Sequence, residues 1–539
     1  MTNPHSRQFD VLPSLRNAPA QFPGMNALDQ GLLHAVADGE ARLTPEQGVE
    51  LLTRAPLATL GRWADARCRT LHGSRLRTYV IDRNINYTNI CTAKCTFCAF
   101  RRDGTEADAY TLEHEQILEK IEELSAIGGT QILMQGGMNP ALSLDWYLEL
   151  LTTIKSRFPH IHVHAFSPPE FVEFVNFFDP PGATFTDKVR WVMIRLRDAG
   201  LDSIPGGGGE IFAGPARRKI GLGKCDADNW LTVMYVAHSL GMFTSATMMF
   251  GHIEGYADRV HHMMLVRHWQ DKALALTNED FVPSTLDSGR RFNAPGHYKA
   301  FISWPFQREN TPLGRLKDWG AEPGEWDREF PGDVVARAHA FGANEDVDYR
   351  ELGEDAELFG RRVRMSGAID YLRTQAVSRL MLDNVYSIGS SWVTMGPHVG
   401  QLGLMYGAND MGSVMMEENV VSSAGTTYCL DEPVLCRLVR DAGFTPAQRN
   451  NTYDVLKIHA SEGSPDLMVS DWSQHRARTM HREAPGSGKQ AGKQAGKQAG
   501  NQTGNQVGAE QAHTVQGTAV ALTVTRNAQS PKLIAVGQK

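Results

Sequence analysis

No stretch of about 18 apolar residues occurs in this sequence, so nothing in it has the length and polarity of a membrane-crossing helix. The first residues, "MTNPHSRQFDVLPSLRNAP", lack the basic start and apolar centre of an export leader, and the expectation is a cytoplasmic protein. An excess of positive charge is missing as well. The 54 Lys and Arg are outnumbered by 61 Asp and Glu, for a net charge of -7, which argues against nucleic acid or another polyanion as partner. Cysteine is scarce, at seven in 539 residues. In a reducing compartment that favours metal ligands and core thiols over a disulfide framework.

What is present is a soluble composition, 42% hydrophobic and 21% charged, over a length sufficient for one large domain or several ordinary ones. Residues 1–28 are polar and aperiodic, and are expected to be disordered. From 29 to 76 a helical preamble is expected, with "LTPEQGVELL" supplying Thr44 as N-cap, Pro45 at the first helical position and Gln47 completing a capping box. Thereafter short apolar strands alternate with amphipathic helices. In "LEHEQILEKIEELSAIGG", Ile117, Ile121 and Leu124 fall on one face and Glu113, Glu119 and Glu123 elsewhere, before a glycine stop.

Strands are read at "TYVIDRNINYTN", "TQILMQGG", "HIHVHAF", "LDSIPG", "TSATMMFGH", "KAFISWPF", "SIGSSWVTMG" and "GSVMM". Eight such units predict an α/β fold, a (β/α)8 TIM-type barrel over 77–468, with an open doubly wound sheet as the alternative. Segments near 171–188, 278–298 and 317–360 read as loop insertions. Residues 469–539 end in "GSGKQAGKQAGKQAGNQTGNQVG", a low-complexity repeat expected to be a disordered tail.

Three of the seven cysteines crowd into "CTAKCTFC": Cys91, Cys95 and Cys98. A structural zinc site wants four ligands and no second pair lies nearby, although a distant residue could complete one. A redox pair of Cys95 with Cys98 would leave Cys91 unexplained. Iron-sulfur clusters are held by thiolates, and three ligands would leave one iron open.

The spacing, an aromatic before the last cysteine, and its place just after the first strand resemble the radical S-adenosylmethionine superfamily. The resemblance implies a 4Fe-4S cluster on the three cysteines, S-adenosylmethionine bound at the open iron, and a one-electron reductant such as flavodoxin or ferredoxin. "MQGG", with Gln135, Gly136 and Gly137, is similar to the superfamily's glycine-rich motif that contacts the methionine part of the cofactor. Ser167 and Glu170 in "FSPPE" are candidates for its ribose or amino group.

Further motifs, among them "GGTQILMQGGMNP", "IHVHAFSPPE", "AGLDSIPGGGGEI", "SSWVTMGPHVGQLGL", "GANDMGSVMMEENVVSSAG" and "AGFTPAQRN", resemble the cyclic dehypoxanthine futalosine synthase family of the futalosine route to menaquinone. The sister families, aminofutalosine synthase and the tyrosine-using subunit of FO synthase, stay open. So do an iron-sulfur electron-transfer or sensor protein and a zinc hydrolase.

The resemblance implies hydrogen abstraction from ribose, attack on a benzoate ring and loss of a proton to a base. Ionisable residues at strand ends are His164, Glu170, Glu210, His252, Glu254, Glu417 and Glu418, of which Glu210 and the pair His252 and Glu254 are the favoured catalytic candidates. Arg217, Arg218 or the "PGGGG" backbone are candidates for a substrate carboxylate. Trp304 and Trp392 are candidate cavity walls.

Overall fold

The computed structural model describes residues 19–284, 292–315, 365–426, 428–461 and 463–467. The segments 1–18, 317–360 and 469–539 lie outside the described residues. Residues 19–28 are described and ordered, against expectation. There β1 (Ala20–Gln21) pairs in parallel with β2 (Ala41–Arg42), and Ala27 is fully buried with its N–H on Glu50.

Three helices follow, Gln30–Asp38, Pro45–Arg54 and Leu57–His72. The second starts on a capping box in which the Gln47 N–H donates to Thr44 and the Thr44 N–H to the Gln47 side chain. Arg42 ties this preamble to the main domain, with hydrogen bonds of 2.7–3.0 Å to Asp271 and Asp383.

The main sheet contains β3 (Leu76–Val80), β4 (Asp82–Ile85), β5 (Gln131–Met134), β6 (His162–Ala165), β7 (Ser203–Ile204), β8 (Phe243–Phe250), β9 (Tyr298–Pro305), β10 (Ser387–Gly389), β11 (Asp410–Ser413), β12 (Thr445–Arg449) and β13 (Val455–Ile458). Neighbouring strands from β4 to β11 pair in parallel in sequence order. β3 and β4 are one extended run broken only at Ile81. Its first half borders β11 and its second half borders β5, so the run closes a ring of eight parallel strands. Asp82 marks the seam, accepting from Ser413 on β11 and, at 2.8 Å, from Gln131 on β5. The barrel reading holds over an open sheet.

Helices cover the ring where apolar periodicity placed them. On His114–Ala126, Ile117, Ile121 and Leu124 are fully buried, each contributing on the order of 1.5–3 kcal/mol. Gly128 ends that segment at φ 80°.

The segment 171–188, expected to be a loop insertion, is instead helical. Pro168–Phe178 and Phe185–Ala199 together form the crossover from β6 to β7. Of 278–298, residues 278–284 and 292–297 are irregular, and 298 starts β9. The eighth strand lies earlier than "GSVMM", at Asp410–Ser413. The antiparallel hairpin β12–β13, which joins the ring through β12 beside β3, was not foreseen.

Candidate active site

The barrel is hollow. A cavity of about 490 Å³ reaches from the loop after β4 to Ser203 of β7, Gly389 of β10 and Asp410 of β11. In most barrels of this kind strand side chains fill that space.

Cys91, Cys95 and Cys98 all line the cavity, and their loop is clamped from several sides. Thr92 N–H bonds Met138 O at 3.1 Å, Lys94 N–H bonds Leu222 O and Thr96 N–H bonds Ile220 O at 2.8 Å, and Leu313 N–H bonds Thr96 O at 2.7 Å. Gly137 makes this packing possible, since a Cβ there would lie 2.1 Å from Ile90 O and 3.0 Å from Cys91 Cβ. A Cβ on Gly136 would enter the Tyr87 ring at 2.5 Å. Both glycines therefore make room for the chain itself. Gln135 lines the cavity beside them.

Burial pushes the Cys91 thiol up and the Cys95 thiol up to about 12; Lys224 opposes the shift at Cys95, while Cys98, Glu210 and Cys91 add to it. Burial and the neighbouring thiols oppose ionisation at Cys91 and Cys95, which calls for a cationic group to hold them as thiolates. Among the described residues no three His, Cys, Asp or Glu converge tightly enough for a single metal ion. Thiolates are the ligands that iron-sulfur clusters take.

Glu210 follows the four-glycine turn at φ 35°, buried. The turn has no space for side chains. A Cβ on Gly207 would meet Gln135 Nε2 at 2.2 Å, one on Gly208 would meet Pro169 at 2.3 Å, and one on Gly209 would meet Thr247 O at 2.5 Å. Glu210 Oε1 accepts from Lys224 Nζ at 2.5 Å, and its buried Oε2 has no partner among the described residues. Burial works against the Lys224 charge, but Glu210 and Cys95 outweigh it and raise its pKa. Lys224 carried no sequence signal; its loop is recognisable only once it lies against the cysteines.

Glu170 also reaches the site, with its carboxylate already engaged. It accepts from Ser167 N–H at 2.7 Å, Ser167 Oγ at 2.6 Å, Tyr87 Oη at 2.6 Å and Gly136 N–H at 3.2 Å. It thus joins three strand ends, and Ser167 and Glu170 form the capping box of the helix behind them. Arg217 does not serve a substrate carboxylate. Its guanidinium is held by the carbonyls of Gly208, Gly209, Ile211 and Cys225.

His252 and Glu254 are absent from the cavity wall. Glu254 accepts from Gly251 N–H, His252 N–H and Arg259 Nε, and Arg259 continues to Asp370 and Thr374. The group is a buried tie between the end of β8 and two helices. Glu417 is likewise engaged, by Arg83, Lys120 and Asn419. Glu418 and His164 do line the cavity, as do Trp304 and Trp392. Burial, with His162 and Arg449 adding to it, lowers the His164 pKa to about 3 and keeps the ring neutral.

Residues 85–266 match the radical SAM superfamily, and residues 354–462 match the CofH/MqnC C-terminal region. The chain is 36% identical to the cyclic dehypoxanthine futalosine synthase of Halalkalibacterium halodurans, over 79% of this chain and 95% of that one. It is 33% identical to the enzyme of the same name from Streptomyces coelicolor, over 80% and 89%. It is also 33% identical to a 5-amino-6-(D-ribitylamino)uracil--L-tyrosine 4-hydroxyphenyl transferase of Methanopyrus kandleri, over 72% and 89%.

A parallel barrel with a three-cysteine loop at its mouth and these relatives defines a radical S-adenosylmethionine enzyme. Within that superfamily, the chain belongs to the family that carries the CofH/MqnC C-terminal region, among the cyclic dehypoxanthine futalosine synthases and their tyrosine-using relatives.

Proposed function

We propose that the chain converts dehypoxanthine futalosine to cyclic dehypoxanthine futalosine in menaquinone biosynthesis, by ribose hydrogen abstraction and attack of the sugar carbon on the benzoate ring. The observation that carries this reading is the joint placement of three thiols and a buried carboxylate-ammonium pair around one hollow barrel, in a chain 36% identical to a cyclic dehypoxanthine futalosine synthase over 95% of that relative's length.

Cys91, Cys95 and Cys98 would hold a 4Fe-4S cluster. Glu210 and Lys224 present opposite charges side by side, which complements the ammonium and carboxylate of the methionine end of S-adenosylmethionine, with Gln135 beside them. Once bound, these groups supply a one-electron cleavage of S-adenosylmethionine that generates the hydrogen-abstracting radical. The remaining work belongs to the chain. Trp304 and Trp392 wall the cavity against water, Glu170 fixes the strand ends around the cofactor pocket, and Gly136 and Gly137 keep the cysteine loop seated. Of the three residues expected as bases, Glu210 alone faces this space, and its place beside Lys224 favours cofactor anchoring over proton transfer. The setting is a cytoplasmic enzyme reduced by flavodoxin or ferredoxin.

The test is anaerobic reconstitution, iron and sulfide counting, and reaction with S-adenosylmethionine, dithionite and dehypoxanthine futalosine. About four irons and four sulfides per chain, with 5'-deoxyadenosine and the cyclic product, all lost on Cys91→Ala, Cys95→Ala or Cys98→Ala, is the expected result. Cofactor cleavage that requires tyrosine with 5-amino-6-(D-ribitylamino)uracil, and ignores dehypoxanthine futalosine, would transfer the chain to its transferase relatives.

A further inference from the structure

The turn between β12 and β13 closes the floor of the barrel. Arg449 donates to Asp410, the first residue of β11, from Nε at 2.5 Å and from Nη2 at 2.9 Å. Two residues on, Asn451 Nδ2 donates to the hydroxyl of Ser203, the first residue of β7, at 2.7 Å. Around the eight-membered ring β11 and β7 are four positions apart, so this short turn crosses the full width of the barrel. Tyr453 completes it, with its ring 3.9 Å from the Arg449 guanidinium and its hydroxyl reaching Ser387 at the start of β10.

The turn is rigid in itself. Asn450 Oδ1 accepts from Asp454 N–H and Thr452 Oγ1, and the Asp454 carboxylate accepts from Asn450 Nδ2 and Thr452 Oγ1. Tyr453 sits at φ 67°, a conformation that costs a bulky residue on the order of 1–3 kcal/mol and persists where the surroundings enforce it. Arg449, Asn451 and Tyr453 all line the cavity.

We infer that this turn is the specificity element of the enzyme, and that Asn451 accepts a hydrogen bond from a hydroxyl of a pentose-bearing substrate. The charge balance points that way. Asp410 and the Asn450 carbonyl occupy the Arg449 guanidinium, so the turn offers a neutral polar edge, suited to a hydroxyl more than to a carboxylate. One N–H of the Asn451 amide is given to Ser203, and its oxygen receives no donor among the described residues. Ser203 in turn bonds His164 Nδ1 at 2.6 Å and His162 Nε2 at 2.7 Å, which fixes the amide from behind. The cysteine loop and the Glu210–Lys224 pair line the same cavity from other segments, after β4 and β7, so cofactor handling and substrate selection are assigned to different parts of the chain.

The inference rests on the pentose-bearing substrate class proposed above. Its test uses the reconstituted full chain with dehypoxanthine futalosine, with 5-amino-6-(D-ribitylamino)uracil plus tyrosine, and with analogues of each in which single hydroxyls are replaced by hydrogen. Asn451→Ala is expected to raise KM for the accepted substrate about tenfold, with KM for S-adenosylmethionine changing less than about twofold. One deoxy analogue should lose a similar factor with the parent and nothing further with Asn451→Ala.

Thr452→Ala, which loosens the turn from outside the cavity, separates support from recognition; it should lower the melting temperature and leave KM in place. Equal KM shifts for Thr452→Ala and Asn451→Ala, or a parent indifferent to every hydroxyl, would overturn the inference. An Asn451 effect seen only with the ribityl compound would keep the turn's role and discard the cyclase reading. Binding of neither compound would overturn both.

Discussion

Lys224 Nζ stands 2.5 Å from Glu210 Oε1, and both side chains face the cavity that Cys91, Cys95 and Cys98 enter. The pair is buried, so removing either partner strands the other charge. Glu210→Gln and Lys224→Met should each weaken S-adenosylmethionine binding about thirtyfold or more, measured by equilibrium titration of reconstituted protein whose iron content is unchanged. Unaltered cofactor binding with product formation lost in Glu210→Gln would instead make Glu210 the base that takes the proton on rearomatisation.

Gly137 is the second point of control. An added Cβ would meet the Ile90 carbonyl at 2.1 Å, a contact that backbone must yield to at a cost of roughly 1–3 kcal/mol, and the segment that yields carries Cys91. Gly137→Ala is expected to fold but to retain less than about half of the parent's iron and sulfide after reconstitution. Gly367→Ala, where nothing lies within 4 Å of the added atom, is the matched control and should load fully. Equal loading of the two would mean that the cysteine loop tolerates displacement.

Much of this was legible in the sequence, for identifiable reasons. The eight strands are short apolar runs bounded by turn residues, and three cysteines in eight positions admit few chemistries. The helices at Pro168–Phe178 and Phe185–Ala199 were hidden by two Pro-Pro pairs. The first pair sits in an opening helical turn, which tolerates proline, and the second follows Asp179 at φ 40° in the link. The floor turn was missed because Pro446 argues against a strand, yet β12 still pairs with β3 along its length.

A substrate-binding role for Arg217 and catalytic roles for His252 and Glu254 could not be excluded from sequence, because much of what occupies them is backbone. Four carbonyls hold Arg217, and two of the donors on Glu254 are N–H groups. Backbone partners leave no trace in residue identity.

Glu254 accordingly gives a prediction about stability and not about turnover. Its carboxylate and Asp370 share the buried Arg259. Glu254→Gln should cost roughly 2–4 kcal/mol, since it leaves part of a buried cation uncompensated, read as a lower urea midpoint. KM for both substrates should hold. A rise in either KM at unchanged stability would return Glu254 to the active site.

Buried histidines set the acid limit of the fold. Burial lowers His238 to about 3, and burial with His162 and Arg449 lowers His164 to about 3, whereas an unfolded histidine titrates near ~6.5. Because the folded values are depressed, the unfolded chain binds these protons first. The stabilisation is complete above about pH 6.5 and is lost as pH falls from there toward 3. Each such histidine should remove about 1.4 kcal/mol per pH unit in that window. Urea midpoints should therefore drop steadily between pH 7 and pH 5, and His238→Asn should shallow that slope by close to one proton. A midpoint that is flat down to pH 5, in the parent as in the variant, would mean that these rings can be charged in place.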